Sequence, residues 1–411
     1  MNSPDGFLSR RFVPALTALS ENTYLSAIRA GMVAVVPLTI IGGLFMIVAF
    51  LPVAGWEKII APYLQLLQVP VTATFGLLAV FACFAIGYDL GKRLKQEAIV
   101  SAAMATTVFL MMAIKLSDLT LSMDSLGSKG LFTAILVALI AVRVQKFFTD
   151  RNLVIRLPAS VPTIVYESFL SLTPLAFLVV GFWVIRFVLG VDIDQVVQAA
   201  FKPLVFALNT LPGILVYAFA VTLLWSVGIN GDNALDAIVA PIFLQFLAAN
   251  VAATTAGQPL PFVTANGFFT TFVNVGGTGA TIGLALVLLN SKEPGFRKVS
   301  RLSLPTQIFQ INEPIFFGIP IVLNPIFMLP YVLNALILTA GTYLLMDWQL
   351  IQKPFVNVPW TTPPIIGHYL VTGGDWRAAV WGVVSIGIAM AVYYPFARIA
   401  ERRRLTAAPK P

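Results

Sequence analysis

Between Lys202 and Lys292 the chain carries only two charged residues, Asp232 and Asp236. Both fall in one short stretch, WSVGINGDNALDAI, residues 225–238. Nothing else in the sequence constrains the fold as strongly. A chain so poor in charge cannot keep a surface wet, and in lipid each backbone polar group has to be satisfied inside its own segment. The rest of the chain follows the same pattern. Of 411 residues, 58% are hydrophobic and 11% charged, against about 25% charged in an average soluble protein. Mean hydropathy is +0.88. The fold class is therefore an all-α polytopic membrane protein.

Spans need roughly 17–25 apolar residues. About ten are expected, near 27–51, 71–91, 97–114, 131–148, 165–189, 213–228, 236–253, 276–290, 324–346 and 377–397. No small-residue cleavage site follows the first, so it reads as a retained span rather than a secretory signal. Basic residues cluster at Arg10/Arg11, Lys92/Arg93/Lys95, Arg143/Lys146/Arg151/Arg156, Lys292/Arg297/Lys298/Arg301 and Arg402/Arg403/Arg404. The loops between these clusters are balanced or acid-leaning. Basic loops stay in the cytoplasm, and ten crossings with both termini inside satisfy every loop. The +8 net charge is thus a membrane-topology signal, and nucleic acid is not expected as a partner.

The topology leaves one apolar run too many between Arg301 and Asp347. The segment LPTQIFQINEPIFFGIP, residues 304–320, contains Pro305, Glu313, Pro314, Gly318 and Pro320. Interior prolines each remove a helical donor, so it reads as a re-entrant hairpin with Asn312-Glu313-Pro314 near its tip. Three units follow. Residues 1–190 hold regular spans, 191–212 form an amphipathic interfacial linker, and 213–411 hold interrupted helices with polar residues at membrane depth.

Glu313 is the only charged residue between Arg301 and Asp347. An ionisable group at a span centre costs about 2.5–3.5 kcal/mol to insert and marks a functional site by default. A carboxylate offers a fork of acceptors that suits adjacent sugar hydroxyls. The second candidate is the opening stretch. Gly228 and Gly231 permit a break, and discontinuous helices at membrane depth mark transporter binding sites. Asp232 and Asn233 are expected to cap the helix that follows, with Asp236 in its first turn. The segment NVGGTGATIGLAL, residues 274–286, lacks the Lys-Ser/Thr of a phosphate loop and reads as a place where helices approach closely. Trp376, in the external segment TTPPIIGHYLVTGGDWR, is a candidate for stacking on a sugar ring. One cysteine, Cys83, and one histidine, His368, exclude cysteine-rich and histidine-cluster metal sites. Neither a metal nor another cofactor is expected. His368 reads as a structural loop residue.

The segments WSVGINGDN, GGTGATIGLAL, INEPIFFGIPIVLNP and TTPPIIG…TGGDWR resemble the membrane subunit, EIIC, of bacterial phosphotransferase systems, in the lactose/cellobiose/diacetylchitobiose branch. The resemblance implies a homodimeric sugar permease of the bacterial cytoplasmic membrane. In it the first five spans make the dimer contact, and the second half carries the sugar as a rigid body. A β-linked disaccharide would be handed to a separate cytoplasmic EIIB, whose phosphocysteine phosphorylates it. The chain would thus be a transporter that takes part in catalysis only with EIIB. Carried over by motif, Glu313 hydrogen-bonds the sugar near the reacting hydroxyl, and Trp225, Asn230, Gly231, Asp232, Asn312 and Trp376 contact or flank it. One departure matters. The family motif usually runs Gly-Ile-His-Gly, with its histidine in the sugar site, whereas here it is Gly228-Ile229-Asn230-Gly231. Asparagine donates and accepts hydrogen bonds but does not take up a proton near neutral pH. A facilitator or sugar-sensing receptor of the same fold is therefore an alternative to a phosphorylating permease.

Overall fold

The computed structural model describes residues 21–50, 55–155, 158, 163–319 and 321–407. Arg10, Arg11, Arg156 and Pro320 lie outside them. The described residues are helical, with one isolated bridge between Ile114 and Leu121. Among the described residues seven helices are long and apolar enough to cross a membrane, or up to nine if each of two sharply bent helix pairs is one span. With the shorter apolar helix Ala98–Ala113 the set is consistent with the expected number of about ten.

The first half packs α1 (Thr23–Ala49), α2 (Leu64–Phe75), α3 (Leu78–Arg93), α4 (Ala98–Ala113), α5 (Leu131–Asp150) and α6 (Thr163–Trp183). Their starts follow ordinary capping chemistry. Asn22 accepts from the amides of Tyr24 and Leu25, and Glu97 from that of Val100 at 2.7 Å, which satisfies orphan donors of the first turn. Small residues bring these helices together, because lipid offers no hydrophobic drive and packing has to supply the attraction. A β-carbon on Gly87 would lie 3.0 Å from the Ala102 α-carbon and 3.2 Å from the Ala105 β-carbon. Gly87→Val is therefore expected to overpack the α3–α4 contact by about 1–3 kcal/mol. The check is the apparent Tm of the detergent-solubilised protein, and an unchanged Tm would refute it.

The linker expected at 191–212 is α7 (Ile193–Leu208), capped by Asp192 and turned 84° against α8 (Leu211–Ser226). The bend sets α7 nearly at right angles to α8. Asp194, in its first turn, accepts from the Thr133 hydroxyl at 2.5 Å, which ties the linker to α5.

The second half contains α9 (Gly231–Thr255), α10 (Ile282–Leu288), α11 (Pro294–Gln307), α12 (Glu313–Gly318), α13 (Pro325–Asp347), α14 (Pro364–Val371) and α15 (Trp376–Ala407). Three breaks interrupt it. The first separates α8 from α9 at residues 227–230. The second replaces the plain span expected at 276–290. Phe268–Val273 is a π-turn, and Gly276, Gly277, Gly279 and Ala280 all have positive φ before α10 begins. The third is the turn at 308–312 between α11 and α12, so the hairpin expected around Asn312-Glu313-Pro314 is present as helix, turn and short helix. His368 does not sit in a loop. It is fully buried in α14, with Nδ1 against the Pro364 carbonyl and its ring edge-on to Phe272.

Candidate functional site

The three breaks meet. Gln310, in the third, accepts through Oε1 from the amides of Gly276 at 2.6 Å and Gly277 at 3.3 Å, in the second. Asn312 Nδ2 donates to the Thr278 carbonyl at 3.0 Å. The Thr278 hydroxyl donates to Asp232 at 3.0 Å, beside the first break. Each break exposes backbone groups that the others, or a water-filled space, must satisfy at membrane depth. Their meeting point is the wall of a cavity of about 510 Å³, within the roughly 300–1,000 Å³ range of small-molecule sites.

Of the seven residues expected in the site, Trp225, Asn230, Asp232, Asn312 and Glu313 line this cavity. Glu313 opens α12 and is exposed to the cavity, and among the described residues its carboxylate has no hydrogen-bond or ion-pair partner. A carboxylate held on a short helix with its acceptor positions open is ready for hydroxyl donors. Trp225 is buried, its ring edge-on to Phe316 at 5.2 Å between centroids.

Gly231 is not among the lining residues. It lies where α9 crosses α8, and a β-carbon there would stand 2.2 Å from the Val221 carbonyl oxygen. In this structure it allows the close approach of the two helices. Trp376 is also outside the cavity, 68% exposed at the start of α15. The preceding Asp375 pins that start by accepting from the Arg377 guanidinium and from the Gln352 amide at 2.8 Å. Burial pushes the Asp375 carboxyl up, but these hydrogen bonds outweigh it and hold the group below the usual carboxylate range.

The capping assignment moves as well. The N-cap of α9 is Asn230, not Asp232 or Asn233, and its Oδ1 accepts from the Asn233 amide at 2.9 Å. Asp232 instead turns into the cavity wall, where Oδ2 accepts from Trp225 Nε1 at 2.8 Å as well as from Thr278. Asn230→Ala is expected to cost about 1 kcal/mol, the usual loss for an N-cap. Thermal unfolding of the variant in detergent checks this, and a neutral result would mean the cap is dispensable.

Sequence reasoning missed Trp360, Asn274, Asn266 and Asn357, all of which line the cavity. For Asn266 and Asn274 the signal was present in the polar residues of TANGFFTTFVN, but a single line of sequence does not show that they line the same cavity as Asn357 and Trp360. The first half contributes Val33 and Val36 of α1 to the same wall. Asn357 Nδ2 donates to Thr39 of α1 at 2.6 Å and its Oδ1 accepts from Asn266 at 3.0 Å, so a polar link joins the halves beside the cavity.

Comparison with known proteins finds relatives over nearly the whole chain. The family model "Phosphotransferase system, EIIC" matches residues 29–335. The cellobiose-specific EIIC component of Geobacillus stearothermophilus is 34% identical, over 97% of this chain and 94% of its own length. The lactose-specific EIICB component of Streptococcus mutans is 29% identical, over 95% of this chain and 72% of its own length. Among solved structures, ChbC, the IIC component of the N,N'-diacetylchitobiose-specific phosphotransferase system, superposes with a TM-score of 0.91. It has 31% identity, over 97% of this chain and 98% of its own.

Proposed function

Because the chain belongs to the EIIC family of the phosphotransferase system, we propose that it carries a β-linked disaccharide of the cellobiose, chitobiose or lactose kind across the bacterial cytoplasmic membrane and presents it to a separate EIIB for phosphorylation. The observation that carries this reading is the cavity at the three breaks, with the open Glu313 carboxylate in its wall and an aromatic ring, Trp360, beside it. Carboxylate and aromatic together suit a sugar, whose hydroxyls need acceptors and whose ring faces are apolar.

The transfer step is simple in outline. The sugar hydroxyl attacks the phosphorus of an EIIB phosphocysteine, the S–P bond breaks as the O–P bond forms, and the hydroxyl proton passes to Glu313. A carboxylate within reach of that proton acts as general base. Transport is by rigid-body movement of residues 213–411 against residues 1–190, with α7 as the connecting strut and both termini cytoplasmic. Support for this comes from the composite wall. Val33 and Val36 belong to one unit and Glu313 to the other, so relative motion opens or closes the same space. A homodimer built on the first half is part of the same proposal.

A second reading is favoured by Asn230. With its Oδ1 held in the α9 cap and no titratable proton, it supports a facilitator or sugar-sensing receptor of this fold. Proteoliposomes given phosphorylated EIIB and labelled cellobiose separate the two. Sugar phosphate accumulating with EIIB supports the permease, while equilibrating free sugar and no phosphate would leave the facilitator.

A further inference from the structure

Nothing at the end of the Glu313 side chain holds it in place. Its carboxylate is exposed to the cavity and has no protein partner among the described residues, so its position comes from the backbone alone. That backbone opens α12, which is six residues long, and a helix so short does not hold its own direction. Its first turn adds little. Pro314 has no amide to donate, and Asn312 caps the helix with no side-chain hydrogen bond. Asn312 Nδ2 donates instead to the Thr278 carbonyl at 3.0 Å, which is one anchor between the 308–312 turn and the second break. The direction of Glu313 follows from such anchors.

Gln310 is the other anchor, and it stands against local backbone preference. Its φ is +66°, in the left-handed region, where asparagine is enriched several-fold among residues other than glycine. Asparagine would suit the turn better, but it is one methylene shorter. The extra methylene is what lets residue 310 reach the second break. Its Oε1 accepts from the Gly276 amide at 2.6 Å and, at 3.3 Å, from that of Gly277, which also donates to the Asn274 carbonyl at 2.9 Å. Gln310 is 6% exposed and both glycines are buried, so the bond is shielded from water. Only Ile311 and Asn312 separate this anchor from Glu313, and slack in the one passes to the other.

We propose that Gln310 is a positioning residue for Glu313. Its carboxamide oxygen ties the turn to the glycine loop and so aims the open carboxylate at the sugar. The proposal rests on the permease reading, with Glu313 as its base, and adds a residue to that site. Gln310 also lines the cavity, so the rival role is a sugar contact of its own. The two roles differ in one respect. A positioning residue matters only while the group it aims is present, whereas an independent contact matters regardless.

The test is the rate of EIIB-dependent phosphorylation of labelled cellobiose, at saturating sugar, by the full-length protein in proteoliposomes, in wild-type and Glu313→Gln backgrounds. Gln310→Asn suits the left-handed turn and withdraws the oxygen by one carbon–carbon bond, about 1.5 Å. It is expected to keep a native Tm and to lose about tenfold or more in rate, since a misplacement of about 1 Å can cost about 10²-fold. Gln310→Met keeps the length, lacks the acceptor, and is expected to lose at least as much. Added to Glu313→Gln, either change is expected to cost less than about twofold more, because no base remains to be aimed. A native rate in Gln310→Asn, or in a folded Gln310→Met, would overturn the proposal and leave the permease reading intact. So would equal fold-losses in the two backgrounds, which would mark a separate sugar contact or a purely structural part. Should Gln310→Met fail to fold, Gln310→Asn decides alone. A wild-type protein that yields no sugar phosphate, or a Glu313→Gln variant that matches it in rate, would remove the underlying reading and this proposal together.

Discussion

Glu313→Gln is expected to lower sugar affinity about 10- to 100-fold and to lower the rate of EIIB-dependent phosphorylation by a further factor of about 10²–10⁴. The two effects have different origins. Glutamine keeps the length of the side chain and one carbonyl acceptor but loses the charge, and charge-assisted hydrogen bonds are about twice as strong as neutral ones. That accounts for the binding loss. Glutamine also accepts no proton, so a hydroxyl attacking phosphocysteine has to shed its proton elsewhere, which accounts for the rate. Because Glu313 is exposed to the cavity and has no protein partner among the described residues, the substitution leaves no buried group unpaired. The apparent Tm should therefore stay within a degree or two of wild type. Calorimetry for affinity and vesicle phosphorylation for rate read the two separately. Unchanged affinity would remove Glu313 from the sugar site. Reduced affinity with an unchanged rate at saturating sugar would keep it as a ligand and refute it as the base.

Much of the architecture was legible in the sequence, because lipid forces it to be. A segment that has to satisfy its own backbone and face hydrocarbon cannot hide its pattern, and the spans around Thr23–Ala49, Leu131–Asp150 and Pro325–Asp347 fall within a few residues of expectation. The hairpin before Pro325 was legible for the opposite reason, since Pro305, Glu313 and Pro314 could not belong to a plain span. What the sequence did not reveal is which polar residue does which job. In Ile229-Asn230-Gly231-Asp232-Asn233 three side chains can cap a helix, and propensity does not choose among asparagine and aspartate. The choice is made by Gly228, whose φ of +88° turns the chain so that α9 starts one residue after Asn230. It is also made by Trp225 and Thr278, which draw Asp232 away from the backbone. Thr278 is remote in sequence from Asp232, and no local pattern announces their pairing. The same holds for Trp360 and Trp376. Both are exposed tryptophans on either side of α14, and only the fold distinguishes the one that reaches the cavity.

Gly277→Ala is expected to abolish sugar binding and to destabilise the second half by about 2–6 kcal/mol, combining backbone strain with overpacking. Gly277 has φ +104° and ψ 168°, a region that is essentially reserved for glycine. A β-carbon there would lie 2.4 Å from the Asn312 β-carbon and 2.8 Å from Asn312 Nδ2. Asn312 has little room to yield. It is 5% exposed, and Nδ2 is held by the Thr278 carbonyl at 3.0 Å. Any retreat carries Glu313, the next residue, with it, and opens the contact through which the second and third breaks brace each other. Small displacements at a hydrogen-bonding site cost heavily when the reacting groups have to stay aligned. Binding should therefore fall by more than stability alone explains. Gly277→Ala combined with Asn312→Gly separates the two contributions. Removing the Asn312 side chain relieves the clash but not the φ/ψ strain, so part of the stability should return, and the difference from additivity measures the contact. Native Tm and native sugar affinity in Gly277→Ala would show that the two tips do not depend on each other, and the cavity would then need another explanation for its shape.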